Sequence, residues 1–455
     1  MFPSKIFKAY DIRGIYPSEL NEDLAYKIGR AFGALRQKEL GRTKDIKIAV
    51  GHDMRLSSPS LVGAVKKGLL EQGIDVIDVG LTSTPTLYFA VAFYNYDGGL
   101  LVTASHNPKE YNGIKLLRER ALPVGLGIGM EEVRDLAEKG EFTEPEKNGE
   151  VSIKEGMIDE QVKFEETYAH ISKIKKFKIV LDTANSMGIV YLNRLFQDLP
   201  QVELVKINEE LDGNFPAHQP DPFQEKNAAD LKKRVVEERA DLGIATDGDG
   251  DRIFFIDNLG QMVEPPIVRG IMAKLFLRDN PGAVICYDIR PGKITEDMIL
   301  ENGGIPSVAK VGHSFIKKQM IETGAVFGGE SSGHFFVKFP QGTYEAPMVV
   351  VLKFLQELSE TGLSLADYCK PLRRYFGSGE INFEVEDKER VFALLREKFA
   401  DAKINEMDGL TFTYPDFWFN MRASNTEPLV RLNLEAFTAE TRDAKVKEIK
   451  NLLEL

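Results

Sequence analysis

Residues 100–117 read Leu-Leu-Val-Thr-Ala-Ser-His-Asn-Pro-Lys-Glu-Tyr-Asn-Gly-Ile-Lys-Leu-Leu, an apolar run followed by polar and turn-forming residues. The short apolar run predicts a buried strand, so Ser105 is expected in a loop directly after that strand. The Asn-Gly pair at 112–113 turns the chain again, and Lys115 follows at once. The hydroxyl of Ser105, the imidazole of His106 and the ammonium of Lys115 together suit phosphate chemistry.

Length and composition indicate a protein of several folded domains. The chain has 455 residues, of which 43% are hydrophobic and 28% charged, and about three domains are expected from length alone. The net charge of −12 would repel a nucleic-acid backbone, so an anionic ligand must be small and bound in a local basic pocket. Cys286 and Cys369 lack metal-type spacing and are expected to be buried thiols.

The sequence contains no apolar stretch of signal-peptide or membrane-spanning length. It therefore predicts a cytoplasmic protein without membrane or nucleic-acid partners. The sequence does not distinguish a monomer from a dimer.

Helical and strand patterns alternate through the first 150 residues, which predicts parallel βαβ units. Apolar runs that meet an aspartate recur at 177–181 and 283–287. They indicate either three similar α/β domains or ordinary parallel strands ending in polar loops. A Glu- and Lys-rich stretch at 138–155 is typical of a linker, and strand and helix patterns at 379–385 and 387–399 predict a smaller α+β domain. The predicted domains are residues 1–150, 151–256, 257–370 and 371–455.

A second chemical motif lies at residues 246–252, Thr-Asp-Gly-Asp-Gly-Asp-Arg, between apolar strand patterns. Glycines let a short loop curl so that Asp247, Asp249 and Asp251 converge, and clustered carboxylates are tolerated around a hard divalent cation such as Mg²⁺. An EF-hand is excluded because its sixth position would be Arg252 instead of glycine. A solvated acidic turn is the simpler alternative, but it would be costly between buried strands.

Two further stretches offer groups for sugar and phosphate. Residues 328–334 supply Glu330, Ser332 and His334, which suit sugar hydroxyls, and Gly312 and His313 precede them. When this stretch is taken alone, an ordinary Gly- and Ser-rich turn with a structural His explains it better than a sugar site does. Residues 422–428 and the nearby Arg431 combine the groups that hold a phosphate dianion: Arg422, Ser424, Asn425, Thr426 and Arg431. A polar turn with an incidental Arg explains residues 422–428 equally well when they are taken alone.

These four stretches, in this order, resemble the active-site signatures of the α-D-phosphohexomutase family, closest to its phosphomannomutase/phosphoglucomutase members. Supporting segments lie at residues 8–14, 80–85 and 212–216, so the resemblance spans nearly the whole chain. It implies an α/β fold, with three similar mixed α/β domains and a smaller C-terminal α+β domain around a central active-site cleft.

The resemblance also implies a mechanism. A phosphorylated Ser105 would exchange its phosphoryl group with a hexose 1- or 6-phosphate through a 1,6-bisphosphate, which also acts as activator, so that the net reaction is an isomerisation. One Mg²⁺ per chain would be held by Asp247, Asp249, Asp251 and a phosphate oxygen on Ser105. His106, Lys115 and Arg252 would add electrostatic support, and Lys115, Arg13 and His313 are the candidates for proton transfer. The remaining positions expected to bind the sugar phosphate are Tyr10, Arg290, Gly312, Glu330, Ser332, His334, Arg422, Ser424, Asn425, Thr426 and Arg431.

The alternatives are a phosphoglucosamine mutase, a metal-dependent sugar phosphatase with Asp247 as nucleophile, and a non-catalytic sugar-phosphate binding protein. Phosphoglucosamine mutases usually carry Pro and Gly where this chain has Ala423 and Asn425. The chain departs from the family pattern at 339–345, where many relatives carry an aspartate-containing Gly-Phe-Asp segment. That segment therefore bears on sugar preference.

Overall fold

A computed structural model describes residues 2–385, 387–423 and 429–453 of the chain. These residues form two compact units. The first unit runs to Val263 and includes Ser332–Ala366, and the second contains Glu264–Ser331 together with the residues from Asp367 onward. Within the described ranges, no helix is both long enough and apolar enough to cross a membrane.

The N-terminal region is an α/β sheet with strand order β1-β5-β4-β2-β3-β6. Its strands are β1 (Ile12–Ile15), β2 (Lys47–His52), β3 (Asp75–Leu81), β4 (Gly98–Val102), β5 (Tyr111–Arg118) and β6 (Val151–Ile153). Its helices are α1 (Glu22–Leu40), α2 (Ser58–Glu71), α3 (Thr84–Phe93) and α4 (Met130–Lys139). Strands β4, β2, β3 and β6 run parallel, and β5 pairs antiparallel with both β4 and β1.

Local sequence signals explain these element boundaries. The Asn21 side chain accepts a hydrogen bond from the Leu24 amide and caps α1, which ends where Gly41 adopts a φ of 65°. The predicted strand before Ser105 is β4, and every residue in it is buried. Because β4 lies inside the sheet, it fixes where the following loop starts.

The stretch predicted as a linker, 138–155, is partly a strand. Val151–Ile153 form β6, which extends the parallel sheet beside β3. All three β6 residues are exposed, so their sequence carries no burial signal by which a strand could be recognised. The proposed domain boundary at residue 150 stays a prediction, as do the other boundaries.

The next region forms a second α/β sheet with strand order β11-β10-β9-β7-β8. Its strands are β7 (Phe177–Asp182), β8 (Val202–Ile207), β9 (Leu242–Thr246), β10 (Ile253–Asp257) and β11 (Met262–Val263), and its helices are α5 (Met157–Glu166), α6 (Gly188–Gln197) and α7 (Ala229–Glu237). The antiparallel pair β9 and β10 flanks the acidic loop, as the sequence predicted.

The third region contributes elements to both units. The second unit contains α8 (Pro265–Asp279), β12 (Val284–Asp288), α9 (Lys293–Glu301), β13 (Ile305–Ala309), α10 (His313–Thr323) and β14 (Phe327–Gly329), with β12 parallel to β13 and β14. The first unit contains the antiparallel pair β15 (Phe335–Lys338) and β16 (Thr343–Glu345), followed by α11 (Pro347–Thr361). The short helix α12 (Leu365–Cys369) comes next along the chain.

The C-terminal region is an antiparallel sheet with strand order β17-β21-β20-β19-β18. Its elements are β17 (Phe376–Glu384), α13 (Lys388–Lys398), β18 (Lys403–Asn405), β19 (Leu410–Thr413), β20 (Phe417–Ala423), β21 (Leu429–Ala436) and α14 (Ala439–Leu453). Aromatic and aliphatic side chains from these strands and from α13 form its core. The predicted fold class, α/β regions followed by a smaller α+β region, is confirmed.

One buried carboxyl group in α5 makes stability depend on pH. Glu165 is fully buried, and its Oε1 accepts a hydrogen bond of 2.8 Å from the Gln161 amide. Burial raises the pKa of Glu165 to about 8. The folded protein therefore keeps this proton at pH values where the unfolded chain has released it.

Glu165→Gln is expected to stabilise the protein increasingly as pH rises. Between about pH 5 and pH 8 the folded state binds one more proton at Glu165 than the unfolded state, so this group removes about 1.4 kcal/mol of stability per pH unit. Thermal denaturation of both proteins over this range measures the effect, with the exposed Glu138→Gln as control. A difference in Tm that stays constant with pH would contradict a protonated Glu165.

Candidate active site

Ser105 lies in a strained loop directly after β4. Its backbone φ is 50°, in the left-handed region that costs a serine roughly 1–2 kcal/mol. The side chain of Thr103 accepts a hydrogen bond of 3.0 Å from the Ser105 amide. Ser105 Oγ donates to Asp247 Oδ2 at 2.8 Å and lies 3.2 Å from His106 Nδ1. The structure therefore places the predicted nucleophile against the predicted metal loop.

The acidic loop brings three carboxylates together in a buried position. Asp247, Asp249 and Asp251 are each at most 2% exposed, and their candidate ligand oxygens lie within 4.8 Å of one another. Gly248 is required here, because a Cβ at that position would lie 2.2 Å from the Ser105 carbonyl oxygen. The two loops thus contact each other through their backbones as well as through their side chains.

The charge distribution in this loop fits a divalent cation. Burial, followed by the charges of Asp251 and Asp249, raises the pKa of Asp247 well above its usual range. Asp249 Oδ1 and Asp251 Oδ1 are buried without a hydrogen-bond partner among the described residues. Buried carboxylate oxygens that lack donors are the ligands that Mg²⁺ prefers, so the residues present fit such an ion.

Lys115 supplies a positive charge to the same carboxylates. Its Nζ donates to Asp249 Oδ2 and Asp251 Oδ2, each at 2.6 Å. Burial acts to lower the pKa of Lys115, but the two carboxylates outweigh it and raise the pKa well above its usual range. Thr84 Oγ1 also donates to Asp249 Oδ2, at 2.5 Å. Lys115 is therefore a protonated cation in this arrangement.

Arg252 is a further cationic group near Asp247, and its charge also acts on His106. Arg252 Nε donates to His334 Nε2 at 3.1 Å and lies 3.7 Å from Asp247 Oδ2. Burial, followed by the charges of Arg252 and Arg13, lowers the pKa of His106 well below its usual range. His106 is thus neutral while the groups around it are charged.

His334 lies beside the acidic loop within the first unit. Because its Nε2 accepts from Arg252, its Nδ1 carries the proton in the neutral ring. That Nδ1 lies 3.4 Å from Asp251 Oδ1 and 3.9 Å from Glu345 Oε1. A role of His334 in sugar binding stays a prediction, as do the roles of Ser332 and Tyr10.

The atypical segment 339–345 is packed into the core of the first unit. The rings of Phe339 and Tyr344 lie 4.7 Å apart, and Phe339 also contacts Phe164 and Tyr168. Glu345, which ends the segment, is fully buried close to His334. Within the first unit, the segment therefore reaches the acidic loop through Glu345.

In the second unit, Asp288 at the end of β12 organises two arginines. Asp288 Oδ2 accepts from Arg290 Nη2 at 2.5 Å, and Oδ1 accepts from Arg269 Nη1 at 3.0 Å. Burial acts to raise the pKa of Asp288, but the two guanidinium groups outweigh it and hold the pKa below its usual range. Glu330 Oε1 accepts from the Gly312 amide at 2.7 Å and lies 3.8 Å from Arg290 Nη2. The predicted residues Arg290, Gly312 and Glu330 are thus neighbours.

A second carboxylate of this unit holds the predicted phosphate-binding arginines. Arg422 on β20 and Arg431 on β21 are directly opposite each other in the sheet. Glu380 Oε2 accepts from Arg422 Nη2 at 3.1 Å, and Glu380 Oε1 lies 3.4 Å from Arg431 Nη1. Ser424, Asn425 and Thr426 lie outside the described residues. His313 is the first residue of α10.

Sequence reasoning did not identify several of these groups. Thr84, Glu380 and Asp288 each position a predicted site residue, and Arg55 contacts the Ser105 loop. Thr84 belongs to the segment 80–85, which supported the family resemblance. That segment was the sequence signal by which Thr84 could have been identified. Glu380 and Arg55 lie in ordinary strand and loop sequence, where no local pattern separates them from surface charges.

Models of one protein family match most of the chain. Four consecutive models of the phosphoglucomutase/phosphomannomutase family match the chain: alpha/beta/alpha domain I at residues 4–144, domain II at 158–260, domain III at 267–375 and the C-terminal domain at 380–452. The chain belongs to this family. The resemblance inferred from the sequence motifs is confirmed.

Individual members of the phosphoglucomutase/phosphomannomutase family align over almost the entire chain. The chain is 39% identical to a phosphomannomutase of Methanocaldococcus jannaschii, over 98% of this chain and 97% of that protein. It is 38% identical to a phosphomannomutase of Vibrio cholerae, over 98% of each. A crystal structure of a family protein from Burkholderia thailandensis superimposes with a TM-score of 0.88 at 32% identity, covering 100% of this chain and 98% of that one.

Mg²⁺ is expected to raise the Tm of the protein, and Asp249→Asn is expected to abolish that rise. A ligand present at about a hundredfold above its dissociation constant stabilises the folded state by about 2.7 kcal/mol. Thermal denaturation with and without MgCl₂ measures the shift, and Asp23→Asn, an exposed carboxylate on α1, is the control. An unchanged Mg²⁺ shift in Asp249→Asn would place the ion elsewhere.

Proposed function

We propose that the protein is a phosphohexose mutase that interconverts hexose 1-phosphate and hexose 6-phosphate, with mannose or glucose as the sugar. Ser105 donates its phosphoryl group to the free hydroxyl of the substrate, and the resulting 1,6-bisphosphate returns its other phosphate to Ser105. The observation that carries this proposal is the 2.8 Å hydrogen bond between Ser105 Oγ and Asp247 in a buried acidic loop. Membership of the phosphoglucomutase/phosphomannomutase family supports the reaction.

The acidic loop is proposed to hold Mg²⁺ through Asp247, Asp249 and Asp251, with a phosphate oxygen on Ser105 as a further ligand. When bound, the ion neutralises negative charge that develops on the transferred phosphoryl group. The protein supplies additional positive charge from Lys115 and Arg252. Lys115 Nζ lies 2.6 Å from Asp249 Oδ2, and Arg252 Nε lies 3.7 Å from Asp247 Oδ2.

Two proton movements accompany each transfer. When the phosphoryl group moves from Ser105 to the sugar, the attacking sugar hydroxyl loses a proton and Ser105 Oγ gains one; in the return transfer Ser105 Oγ loses a proton and the leaving sugar oxygen gains one. Neutral His106 lies within hydrogen-bond reach of Ser105 Oγ, at 3.2 Å. Lys115 is held in its charged form by Asp249 and Asp251, so it is better suited to electrostatic support than to accepting a proton. Arg13 and His313 remain further candidates from the sequence.

The groups proposed to bind the sugar are Glu330 and Arg290 of the second unit and Ser332 of the first unit. Glu330 and Ser332 would hold sugar hydroxyls common to glucose and mannose, and Arg290 would also contact the ligand. The residues proposed for the phosphate that does not react are Arg422, Ser424, Asn425, Thr426 and Arg431. Glu380 keeps Arg422 and Arg431 on one face of the sheet, which prepares two guanidinium groups for a dianion.

Ser105→Ala is expected to lower mutase activity by more than about a thousandfold, because the phosphoryl carrier is lost. Activity is measured as exchange between hexose 1- and 6-phosphates with trace hexose 1,6-bisphosphate and Mg²⁺. Ser60→Ala, an exposed serine on α2, is the control and should keep full activity.

The location of the phosphoryl group distinguishes the mutase from its rivals. Peptide mapping of the phosphorylated protein should find an acid-stable phosphoserine at Ser105. A hydroxylamine-sensitive acyl phosphate on Asp247 would instead indicate a phosphatase. Ligand binding without exchange would indicate a binding protein, and a preference for glucosamine 1-phosphate over mannose and glucose 1-phosphates would indicate a phosphoglucosamine mutase.

A further inference from the structure

Arg55 is a buried arginine that lies next to the Ser105 loop without belonging to any of the predicted site motifs. It follows β2 in the sequence Asp53-Met54-Arg55, and only 1% of it is exposed. Its Nε faces Asp53 Oδ2 at 3.3 Å. Asp53 Oδ1 accepts in turn from the Arg55 amide at 3.0 Å and from Ser58 Oγ at 2.6 Å. Asp53 therefore contacts Arg55 at both its backbone and its guanidinium group.

The guanidinium group binds four backbone carbonyls, three in the Ser105 loop and one at the first residue of β5. Nη2 donates to the carbonyl oxygens of Ser105 at 2.8 Å and Asn107 at 2.7 Å. Nη1 donates to those of Pro108 at 2.8 Å and Tyr111 at 3.0 Å. A planar group with fixed donor directions can impose one backbone path on such a loop, which a flexible ammonium group cannot do.

These contacts leave Arg55 no Nη donor for a phosphate, because the four Nη hydrogens are directed at carbonyl oxygens. Its Nε is buried 3.3 Å from Asp53 Oδ2 and has no hydrogen-bond partner among the described residues. Arg55 therefore differs from Arg252, Arg422 and Arg431, which are proposed to face the ligand. Its influence on the reaction must pass through the backbone of the loop that it binds.

The contact with the Ser105 carbonyl is the one that matters for chemistry. The φ of 50° at Ser105 is unfavourable for a serine, so the loop needs an interaction that stabilises it. Arg55 Nη2 binds the carbonyl of this same residue, and the carbonyl also lies against Gly248 of the acidic loop. The Arg55 contact is thus made to the backbone of the same residue whose Oγ donates to Asp247 at 2.8 Å.

A loop from the second sheet covers the other side of Arg55. The ring of Phe215 lies over the guanidinium at 4.9 Å, a distance typical of a cation–π interaction. Gly213 packs so closely that a Cβ would lie 2.8 Å from the Met54 carbonyl oxygen. This cover keeps water away from the four hydrogen bonds.

We propose that Arg55 is a positioning residue that holds Ser105 in the strained backbone conformation required for phosphoryl transfer. The inference rests on the proposed function of Ser105 as phosphoryl carrier. It predicts that loss of the guanidinium slows the transfer step while substrate binding, which uses other residues, is retained.

The test is Arg55→Lys, compared with Arg36→Lys. Arg36 is also 1% exposed in the first unit, where it donates to the Asp97 carbonyl oxygen at 3.0 Å and pairs with Glu39 and Glu119, so it controls for burying a lysine. Both variants are phosphorylated with hexose 1,6-bisphosphate, and transfer to hexose phosphate is followed in a single turnover. Arg55→Lys is expected to transfer about a hundredfold more slowly, with KM changed less than about threefold.

Several outcomes would overturn the inference. The inference is wrong if the single-turnover rate of Arg55→Lys is within threefold of that of the unsubstituted protein. It is also wrong if Arg55→Lys changes mainly KM, or if Arg36→Lys lowers the transfer rate equally. If the unsubstituted protein carries no phosphate on Ser105, the proposed function fails instead, so the two failures are distinguishable.

Chemical rescue keeps the inference testable if Arg55→Lys does not fold. Arg55→Ala leaves a cavity lined by the four carbonyl oxygens. Added guanidinium ion is expected to bind there and to raise the transfer rate of this variant at least about tenfold. Arg36→Ala should show no such recovery. A transfer rate in Arg55→Ala that guanidinium does not increase would contradict a positioning role.

Discussion

The burial of three carboxylates beside one serine is the constraint on which the rest of the site depends. Asp247, Asp249 and Asp251 cannot all be ionised out of water unless positive charge is close. Burial and the mutual repulsion of the carboxylates accordingly raise the pKa of Asp247. Lys115 supplies one charge within the protein. The remaining imbalance of charge fits a divalent cation.

In the second unit, positively charged groups are clustered, and carboxylates offset their repulsion. Guanidinium groups that lie close together repel one another unless a carboxylate is near. Asp288 and Glu380 each lie between two guanidinium groups and offset that repulsion. Side chains held in this way keep a fixed orientation, and a fixed orientation lowers the entropic cost of binding a ligand.

Much of the fold could be predicted because its strands are short apolar runs with local boundaries. β4, β9 and β10 appear where the pattern placed them, and the loops between them carry the expected groups. The β6 strand was not identified because its exposed residues carry no burial signal. Glu380 and Arg55 were not identified because a charged residue in a strand or loop has the same local sequence whether it is buried or exposed.

The sequence by itself determined which chemical groups are present and in which kind of local structure: a serine after a strand, alternating carboxylates and glycines in a loop between two strands, and two arginines near the C-terminus. Only the tertiary structure decided how they are combined. Ser105 and Asp247 are 142 residues apart, and Arg55 meets the Ser105 carbonyl across 50 residues. Such contacts depend on the packing of distant strands and on glycines that allow two backbones to touch. They cannot be predicted from a local sequence pattern, because the residues in contact are far apart in the chain.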